Sequence, residues 1–242
     1  MIYFLIPVFN EEKNIQNLFL DLSKVLPEHE KQYVFSDDGS TDKSIEEINR
    51  CFSQLKFTIL SDGKNHGPGK AFNVGFEWII KNSASEQDSV VTLEADNTSD
   101  LTVLPHLICL NKLGYSLVLA SVYAQGGGFD RTSFFRKFIS YVANLFFRFL
   151  FDVKVLTLSS FYRCYDINLL KKIYARTNGQ IIREPGFICM LEILLKAIRI
   201  GAKIIEVPVI LQSSKRVGKS KMNLMKTTFT YLRFLIEFSR NK

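Results

Sequence analysis

Short apolar runs alternate with amphipathic stretches along the first half of the chain. The apolar runs have the length and composition of buried strands, and they cover residues 2–8, 33–35, 57–60, 90–93 and 117–121. In the stretches between them apolar residues recur every three or four positions, as Ile15, Leu18 and Leu22 do, which predicts helices. The predicted helices cover residues 11–25, about 41–52, 69–80 and 101–113. This alternation predicts an α/β fold with a mostly parallel sheet covered on both faces.

The second half of the chain has a different pattern. Residues 134–151 are crowded with aromatic side chains yet keep Arg136, Lys137 and Arg148, which predicts an amphipathic helix suited to a membrane interface. A core helix with a few surface charges is the alternative. Residues 204–211 form a predicted late strand, in which Pro208 indicates an edge position or the end of the strand. Residues 222–238 predict a final amphipathic helix.

Composition and charge narrow the class of protein. With 242 residues, 47% of them hydrophobic, the chain fits one large α/β domain or a domain with a small appendage. No uncharged apolar run reaches the length of a membrane-spanning helix, and the first ten residues lack the basic start of a signal peptide. The four cysteines lie far apart, as expected of reduced thiols in a cytosolic protein. The net charge of +7 favours an anionic partner such as nucleotide phosphate, lipid phosphate or a membrane surface.

Polar motifs follow the first two predicted strands. In "IPVFNEEKN" the strand ends near Pro7, and Glu11 lies where the first helix begins; an ordinary strand-to-helix turn is the alternative. In "FSDDGSTDKS" Asp37 and Asp38 follow the second strand. Ligands of parallel sheets collect beyond the carboxyl ends of the strands, where a carboxylate can accept hydrogen bonds from a nucleobase or a ribose. We expect one of the two aspartates to bind a ligand and the other to be structural.

The motif "NHGPGKAFNVG" precedes the third predicted helix. Its two glycines and proline allow close approach of the backbone to a ligand, and Lys70 adds a positive charge. Its spacing is neither that of a P-loop nor that of a dinucleotide-binding loop. A generic glycine-containing loop is the alternative.

Two carboxylates one residue apart end the fourth predicted strand. Side chains alternate along an extended segment, so Glu94 and Asp96 are expected on the same side, where they would repel one another. A divalent cation such as Mg²⁺ or Mn²⁺ would relieve that repulsion, with a diphosphate completing its coordination shell. In the alternative interpretation, Asp96 only begins the loop and Asp100 caps the next helix.

Taken together, these motifs resemble those of GT-A glycosyltransferases of the large inverting family 2, in particular the dolichyl/polyprenyl-phosphate sugar (mannosyl/glucosyl) transferases. The matching pieces are "IPVFNEEKNI", "SDDGSTDKS", "NHGPGKAFNVG", "EAD", "EVPV" and "GKSK", spread from residue 6 to residue 221. The resemblance implies a Rossmann-like GT-A domain over residues 1–212, with amphipathic interfacial helices in its C-terminal half. Its nucleotide-sugar part would cover about 1–122 and its acceptor part about 123–212, followed by a basic loop and helix in 213–242.

The resemblance also implies roles for individual residues. Donor-binding roles fall on Pro7, Phe9, Glu11, Asp37, Asp38, Lys70, Glu94, Ala95 and Asp96. Among these, Asp38 would read the base and Asp37 would support the structure. Glu94-Ala95-Asp96 stands where the family usually has Asp-x-Asp, so Glu94 and Asp96 are the implied metal ligands. The chain departs from the family pattern at Glu94, at Val122 (often Arg) and at Phe161 (commonly Gly in the mannosyltransferase branch).

Basic residues would meet the phosphates of donor and acceptor. The implied phosphate and acceptor residues are Arg136, Arg163, Arg216, Lys219, Ser220 and Lys221. Without the resemblance, "KRVGKSK" would be interpreted as a solvated basic loop. The implied catalytic residues are Asp96, Arg136 and Glu192. An acceptor hydroxyl would need a carboxylate base, for which Glu184 and Glu192 are the candidates, whereas a lipid phosphate would not.

The resulting hypothesis is a metal-dependent hexosyltransferase of glycan biosynthesis. It would move a sugar from a nucleotide diphosphate sugar to a polyprenyl (dolichyl or undecaprenyl) phosphate, as a peripheral protein on the cytoplasmic face of a membrane. A separate membrane-anchoring protein is a further expected partner, and nucleic acid is not. The alternatives are a family 2 transferase acting on a sugar hydroxyl of a growing polysaccharide or glycolipid, and a non-catalytic nucleotide-sugar-binding protein.

Overall fold

A computed structural model describes residues 1–131 and 134–218, together with residues 230, 233 and 234. The strands are β1 (Ile2–Val8), β2 (Lys31–Asp37), β3 (Phe57–Leu60), β4 (Ser89–Thr92), β5 (Leu117–Ser121), β6 (Gly128–Phe129), β7 (Arg163–Asp166), β8 (Ile204–Pro208) and β9 (Ile210–Leu211). The α-helices are α1 (Glu12–Lys24), α2 (Ser44–Phe52), α3 (Pro68–Asn82), α4 (Leu104–Lys112), α5 (Phe134–Phe151), α6 (Ile167–Arg176) and α7 (Cys189–Arg199). Single 3₁₀ turns cover Leu101–Val103 and Ser213–Lys215.

Seven strands form the central sheet, in the order β3-β2-β1-β4-β7-β5-β8. All neighbouring pairs are parallel except those of β7, which runs antiparallel to both β4 and β5. The prediction of a mostly parallel α/β sheet is therefore confirmed. β6 and β9 form a separate short parallel ladder. The sheet takes strands from both halves of the chain, since β7 and β8 come after residue 122.

Each face of the sheet is covered by helices with an apolar stripe. On one face α1 buries Ile15, Leu18 and Leu22. On the other face α3 buries Phe72 and Phe76 in the cluster that also takes the apolar residues of α6 and α7. Two separate apolar clusters, one on each face, are what a sheet covered on both sides requires.

The predicted element boundaries agree well with the structure where the pattern is local. The predicted strands at 2–8, 57–60 and 117–121 are confirmed to the residue. The helix predicted over 101–113 is divided into a 3₁₀ turn and α4, and Asp100 caps it by accepting from Thr102 N–H at 3.1 Å. The strand predicted over 204–211 ends at Pro208 and resumes as β9, and β8 is an edge strand, as the proline indicated. The helix predicted over 222–238 lies outside the described residues, apart from 230, 233 and 234.

Within the described part of the chain, no helix combines the length and the apolar character needed to cross a bilayer.

Arg163 lies in β7, a strand that the sequence pattern did not predict. Its side chain is fully buried, and its guanidinium donates to three backbone carbonyls. The acceptors are Ser160 O (2.7 Å, from Nε), Met190 O (2.8 Å, from Nη1) and Leu158 O (2.7 Å, from Nη2). This contradicts the prediction that Arg163 binds phosphate, because its donors connect β7 to the preceding loop and to α7.

We predict that Arg163→Met destabilises the protein strongly. The change removes three hydrogen bonds of a buried guanidinium, and hydrogen bonds from charged groups contribute roughly 1.5–3 kcal/mol each, so a loss of about 3–5 kcal/mol is expected. Urea unfolding followed by circular dichroism would measure it. Lys172→Met on the exposed surface of α6 is the control and should change the unfolding free energy by less than about 0.5 kcal/mol. Equal stability of both variants would contradict the structural role of Arg163.

Candidate functional site

The carboxyl ends of β1, β2 and β4 lie side by side. β1 pairs with β2 as far as Val8 and Asp37, and with β4 as far as Leu5 and Thr92. The predicted donor-binding residues that follow these strands therefore lie along one edge of the sheet. Ligands of open parallel sheets bind at this edge.

The segment after β1 joins that edge to the start of α1. Pro7 lies within β1 opposite Ser36, and Phe9 and Glu11 are partly buried. The Glu11 carboxylate accepts from Asn14 Nδ2 at 2.6 Å. Its backbone N–H donates to the Ser44 hydroxyl at 2.7 Å, which connects this turn to α2.

Asp37 braces the turn after β2. Its buried carboxylate accepts from the backbone N–H groups of Gly39 (3.2 Å) and Ser40 (3.2 Å). It also accepts from the Ser61 hydroxyl at 2.7 Å, which ties the end of β2 to the loop after β3. These contacts correspond to the structural role expected of one of the two aspartates.

Asp38 holds the loop that precedes α3. Its carboxylate accepts from His66 N–H at 2.7 Å and from Gly67 N–H at 2.9 Å. Burial raises the pKa of Asp38, and the two amides, which stabilise the carboxylate, limit the rise. The residue predicted to read the nucleotide base thus contacts backbone amides in this structure.

The glycines of "NHGPGK" pack against another part of the chain. Gly67 has φ +93°, and a Cβ on it would lie 2.5 Å from Pro185 O. A Cβ on Gly69 would lie 1.8 Å from Glu184 O, and Gly69 N–H donates to Pro185 O at 2.8 Å. The sequence predicted that these glycines admit a ligand; the structure places the 184–185 backbone there instead. Lys70 is exposed in the first turn of α3.

Glu192 positions the segment that packs on those glycines. Its buried carboxylate accepts from the backbone N–H groups of Arg183 and Glu184, both at 2.9 Å, and pairs with Lys196 Nζ at 2.6 Å. Asn73 of α3 adds a bond from Ile182 N–H at 2.9 Å. This contradicts the prediction of Glu192 as a catalytic base, because backbone amides and a lysine hold both of its oxygens.

Glu184 is also engaged within the protein. Its side chain is buried, and its carboxylate lies 3.6 Å from the guanidinium of Arg233. The structure therefore favours neither of the two predicted candidates for a general base.

The predicted metal ligand Asp96 lies in a turn after β4, and its carboxylate is bound by other residues of the protein. Ala95 and Asp96 form a turn, so side chains do not alternate here as they do along an extended segment. The reason given for placing Glu94 and Asp96 on the same side is therefore wrong. Asp96 Oδ1 accepts from the backbone N–H (3.1 Å) and the hydroxyl (2.7 Å) of Thr98. Asp96 Oδ2 accepts from Arg216 Nε at 2.6 Å, and Arg216 Nη2 pairs with the same oxygen.

Glu94 lies beside this ion pair and is partly buried. Burial raises the pKa of the Glu94 carboxyl, the charge of Asp96 raises it further, and Arg216 opposes both effects. The charge of Asp96 thus acts on Glu94 across a turn, whereas the sequence predicted an extended segment.

The residues at this turn fit a divalent cation in their chemistry. In residues 1–131 and 134–218, no group of three or more His, Cys, Asp or Glu side chains is arranged to hold a metal. Two carboxylates with a diphosphate would nevertheless provide the oxygen ligands that Mg²⁺ and Mn²⁺ prefer. The guanidinium at Asp96 marks a position where the protein already stabilises a positive charge.

Residues 212–218 bring Arg216 to the sheet edge. Asn14 of α1 clamps this segment: its Oδ1 accepts from Val217 N–H at 3.0 Å, and its Nδ2 donates to Val217 O at 3.1 Å. Sequence reasoning missed Asn14; a polar residue on the buried stripe of α1 was the available signal. Lys219, Ser220 and Lys221 lie outside the described residues, as does the side chain of Arg136 in α5.

Two motif residues have structural partners. Glu206 of "EVPV" accepts from the backbone N–H groups of Leu156 (2.6 Å) and Thr157 (2.9 Å). Phe161, where the resemblance expected glycine, is buried and packs edge-on against Phe72, with ring centroids 5.0 Å apart. The departure from glycine thus fills part of the apolar cluster that contains Phe72 of α3.

Comparison with known proteins identifies the family of this chain. A family model described as "Glycosyl transferase family 2" matches residues 3–174, well over half of the chain. Dolichol-phosphate mannosyltransferase of Pyrococcus furiosus is 29% identical over 96% of this chain, which spans 61% of that protein. Polyprenol monophosphomannose synthase of Mycolicibacterium smegmatis is 25% identical over 90% of this chain and 80% of its own length. Undecaprenyl-phosphate mannosyltransferase of Micrococcus luteus is also 25% identical, over 90% of this chain and 86% of its own length.

A solved structure shares the fold. Glucosyl-3-phosphoglycerate synthase from Mycobacterium tuberculosis, in complex with Mn²⁺ and UDP-glucose, aligns with a TM-score of 0.62 at 16% identity. The alignment covers 94% of this chain and 74% of that one. At this identity the likeness concerns the fold alone.

We predict that Gly69→Ala is destabilising, whereas Gly186→Ala, in the same packed region, is tolerated. The new Cβ at 69 would overlap Glu184 O, and overpacking costs roughly 1–3 kcal/mol. At Gly186 a Cβ meets nothing within 4 Å. Thermal unfolding of both variants would measure the difference. Equal melting temperatures would show that the 184–185 backbone does not pack on α3 as described.

Proposed function

The chain belongs to glycosyl transferase family 2, and on that premise we propose that it transfers a hexose from a nucleotide diphosphate sugar to a polyprenyl phosphate, with inversion. The observation that carries the proposal is the carboxyl edge of the sheet, where Asp38 follows β2 and Asp96, paired with Arg216, follows β4. The relatives named for polyprenyl-phosphate mannosyl transfer support the choice of donor and acceptor class.

The donor would lie along the carboxyl edge of the sheet. Asp38 and the residues after β1 would bind the nucleoside, and Lys70 and Arg216 would bind phosphates. Asp96, with Glu94, would hold Mg²⁺ or Mn²⁺. A bound divalent cation supplies Lewis-acid stabilisation to the leaving diphosphate, worth several kcal/mol.

A lipid phosphate suits this site better than a sugar hydroxyl does. Phosphate oxygen is already anionic near neutral pH, so the acceptor does not need a general base to activate it. Glu192 and Glu184, the two predicted bases, are both engaged within the protein. An acceptor hydroxyl would require a carboxylate within hydrogen-bond reach, so these contacts support the lipid phosphate.

The exposed face of α5 supports a membrane location for the acceptor. The exposed large apolar side chains on this helix are Phe134, Phe138, Tyr141, Val142, Leu145, Phe146 and Phe149. Their spacing of three and four residues places them along one face of the helix. Lys137 and Arg148 lie at the border of this face. Contiguous apolar surface of this kind marks an interaction site. We propose that it rests on the cytoplasmic face of a membrane, where a separate anchoring protein would supplement it.

We predict that replacing Phe138 and Phe149 together by aspartate weakens binding to vesicles of anionic phospholipid by at least about tenfold, since each large apolar side chain contributes on the order of 1.5–3 kcal/mol when buried. Cosedimentation with vesicles would measure it. Leu113→Asp, at an equally exposed position after α4, is the control and should leave binding unchanged. Equal binding by the double variant would place the membrane contact elsewhere.

We further predict that one of UDP, GDP and CDP stabilises the protein in a thermal-shift assay only when Mn²⁺ is present. A ligand at about 100 times its dissociation constant stabilises by roughly 2.7 kcal/mol, which is readily detected. Asp96→Asn should remove the metal-dependent shift and the transfer of sugar to undecaprenyl phosphate. A folded sample that responds to none of the nucleotides would contradict the proposal. Transfer to a sugar hydroxyl but not to lipid phosphate would still show a glycosyltransferase, but with an acceptor other than the proposed one.

A further inference from the structure

Both oxygens of the Asp96 carboxylate are already occupied. Oδ1 accepts from the backbone N–H and the hydroxyl of Thr98, and Oδ2 is held by Arg216. The Asp96 side chain is only 11% exposed and that of Arg216 24%, so this ion pair is screened weakly by solvent. Any cation that binds Asp96 must therefore compete with the guanidinium of Arg216.

Residues 212–218, called here the strap, hold Arg216 in this position. Gln212 N–H donates to Thr98 O at 2.9 Å, and Val217 is clamped by Asn14. Lys215 Nζ adds an exposed ion pair with Asp21 at 3.5 Å. The strap therefore lies across the turn after β4 and contacts α1 at Asn14 and Asp21.

The strap is also connected to the segment that leads into α5. Gly128 N–H donates to Val209 O at 3.0 Å, and Asp130 N–H donates to Leu211 O at 2.9 Å. The Ser214 hydroxyl bonds the Asp130 carboxylate. Residues 209–216 thus contact both the Asp96 carboxylate and residues 128–130, which precede the helix with the exposed apolar face in the sequence.

We propose that Arg216 is a positioning residue that stands in for the cation at Asp96 in the ligand-free protein, and that cation binding displaces it and releases the strap. This inference rests on the proposed function for the identity of the cation and of the phosphates. The displaced guanidinium is then available to pair with phosphate, to which arginine binds in a bidentate manner. Cation binding and opening of the strap form one equilibrium, so each promotes the other.

If Arg216 must leave Asp96 before a cation binds, the Arg216–Asp96 ion pair lowers the affinity for the cation. A ligand whose competent state is only fractionally populated binds more weakly by that fraction. Removing Arg216 should therefore tighten Mn²⁺ binding in the absence of nucleotide. A residue that only bound phosphate would have no such effect on the metal alone.

The test is a titration of the full chain with Mn²⁺ alone, followed by calorimetry or by the paramagnetic resonance signal of free Mn²⁺. Arg216→Gln should bind Mn²⁺ at least about tenfold more tightly than the wild type. Lys215→Gln removes the same charge from the neighbouring position of the strap, and it should change the affinity by less than about twofold. An Arg216→Gln variant that binds Mn²⁺ no more tightly than Lys215→Gln overturns the proposal.

A second measurement does not depend on a variant. In the wild type, Mn²⁺ should accelerate hydrogen exchange at the Val217 and Gln212 amides, which are bonded to Asn14 and Thr98. Unchanged exchange at saturating Mn²⁺ would show that the strap stays in place, against the proposal.

Failure of this inference and failure of the proposed function are distinguishable. A nucleotide-dependent thermal shift together with unaltered Mn²⁺ affinity in Arg216→Gln would support the proposed transferase activity. It would contradict the displacement of Arg216 by the cation. Tighter Mn²⁺ binding by Arg216→Gln without any response to nucleotides would support the displacement of Arg216 by the cation. It would contradict the proposal that the donor is a nucleotide sugar.

Discussion

Negative charge concentrated at the carboxyl edge of the sheet is the constraint on which the rest of the site depends. Asp37, Asp38 and Asp96 are all buried there. A buried carboxylate is tolerated only when donors or a cation compensate it. Backbone amides satisfy Asp37 and Asp38, and Arg216 neutralises Asp96. Asp37 holds the turn that follows it, whereas Asp38 and Asp96 bring residues 66–67 and Arg216, which are distant in the sequence, to the edge.

Other carboxylates shape the site from a distance. Glu192 fixes the 183–184 amides, and Glu206 fixes those of 156–157. Both segments lie in the second half of the chain and outside its helices and strands, so side-chain acceptors hold their backbone. Acidic residues that resemble catalytic candidates in the sequence thus act as acceptors for the backbone. Asp96 and Arg216, by contrast, pair with each other at the carboxyl edge of the sheet.

The exposed face of α5 and the carboxyl edge are physically linked. The β6–β9 ladder joins the segment before α5 to the strand that continues into the strap. The ladder therefore connects residues 128–130, which precede α5, by hydrogen bonds to the segment that carries Arg216. The side-chain contact between Ser214 and Asp130 adds to this connection.

The sequence by itself determined the order of strands and helices in the first half of the chain, the mostly parallel sheet and the position of polar motifs at strand ends, because these depend on local periodicity. It also placed Asp37, Asp38 and Asp96 at one edge, since parallel strands end together. Only the tertiary structure decided that Arg163 and Glu192 are structural and that the loop glycines pack on 184–185. The same holds for the contact of Arg216 with Asp96, across 120 residues. Such contacts join distant segments, and no local pattern of residue types specifies which donor meets which acceptor.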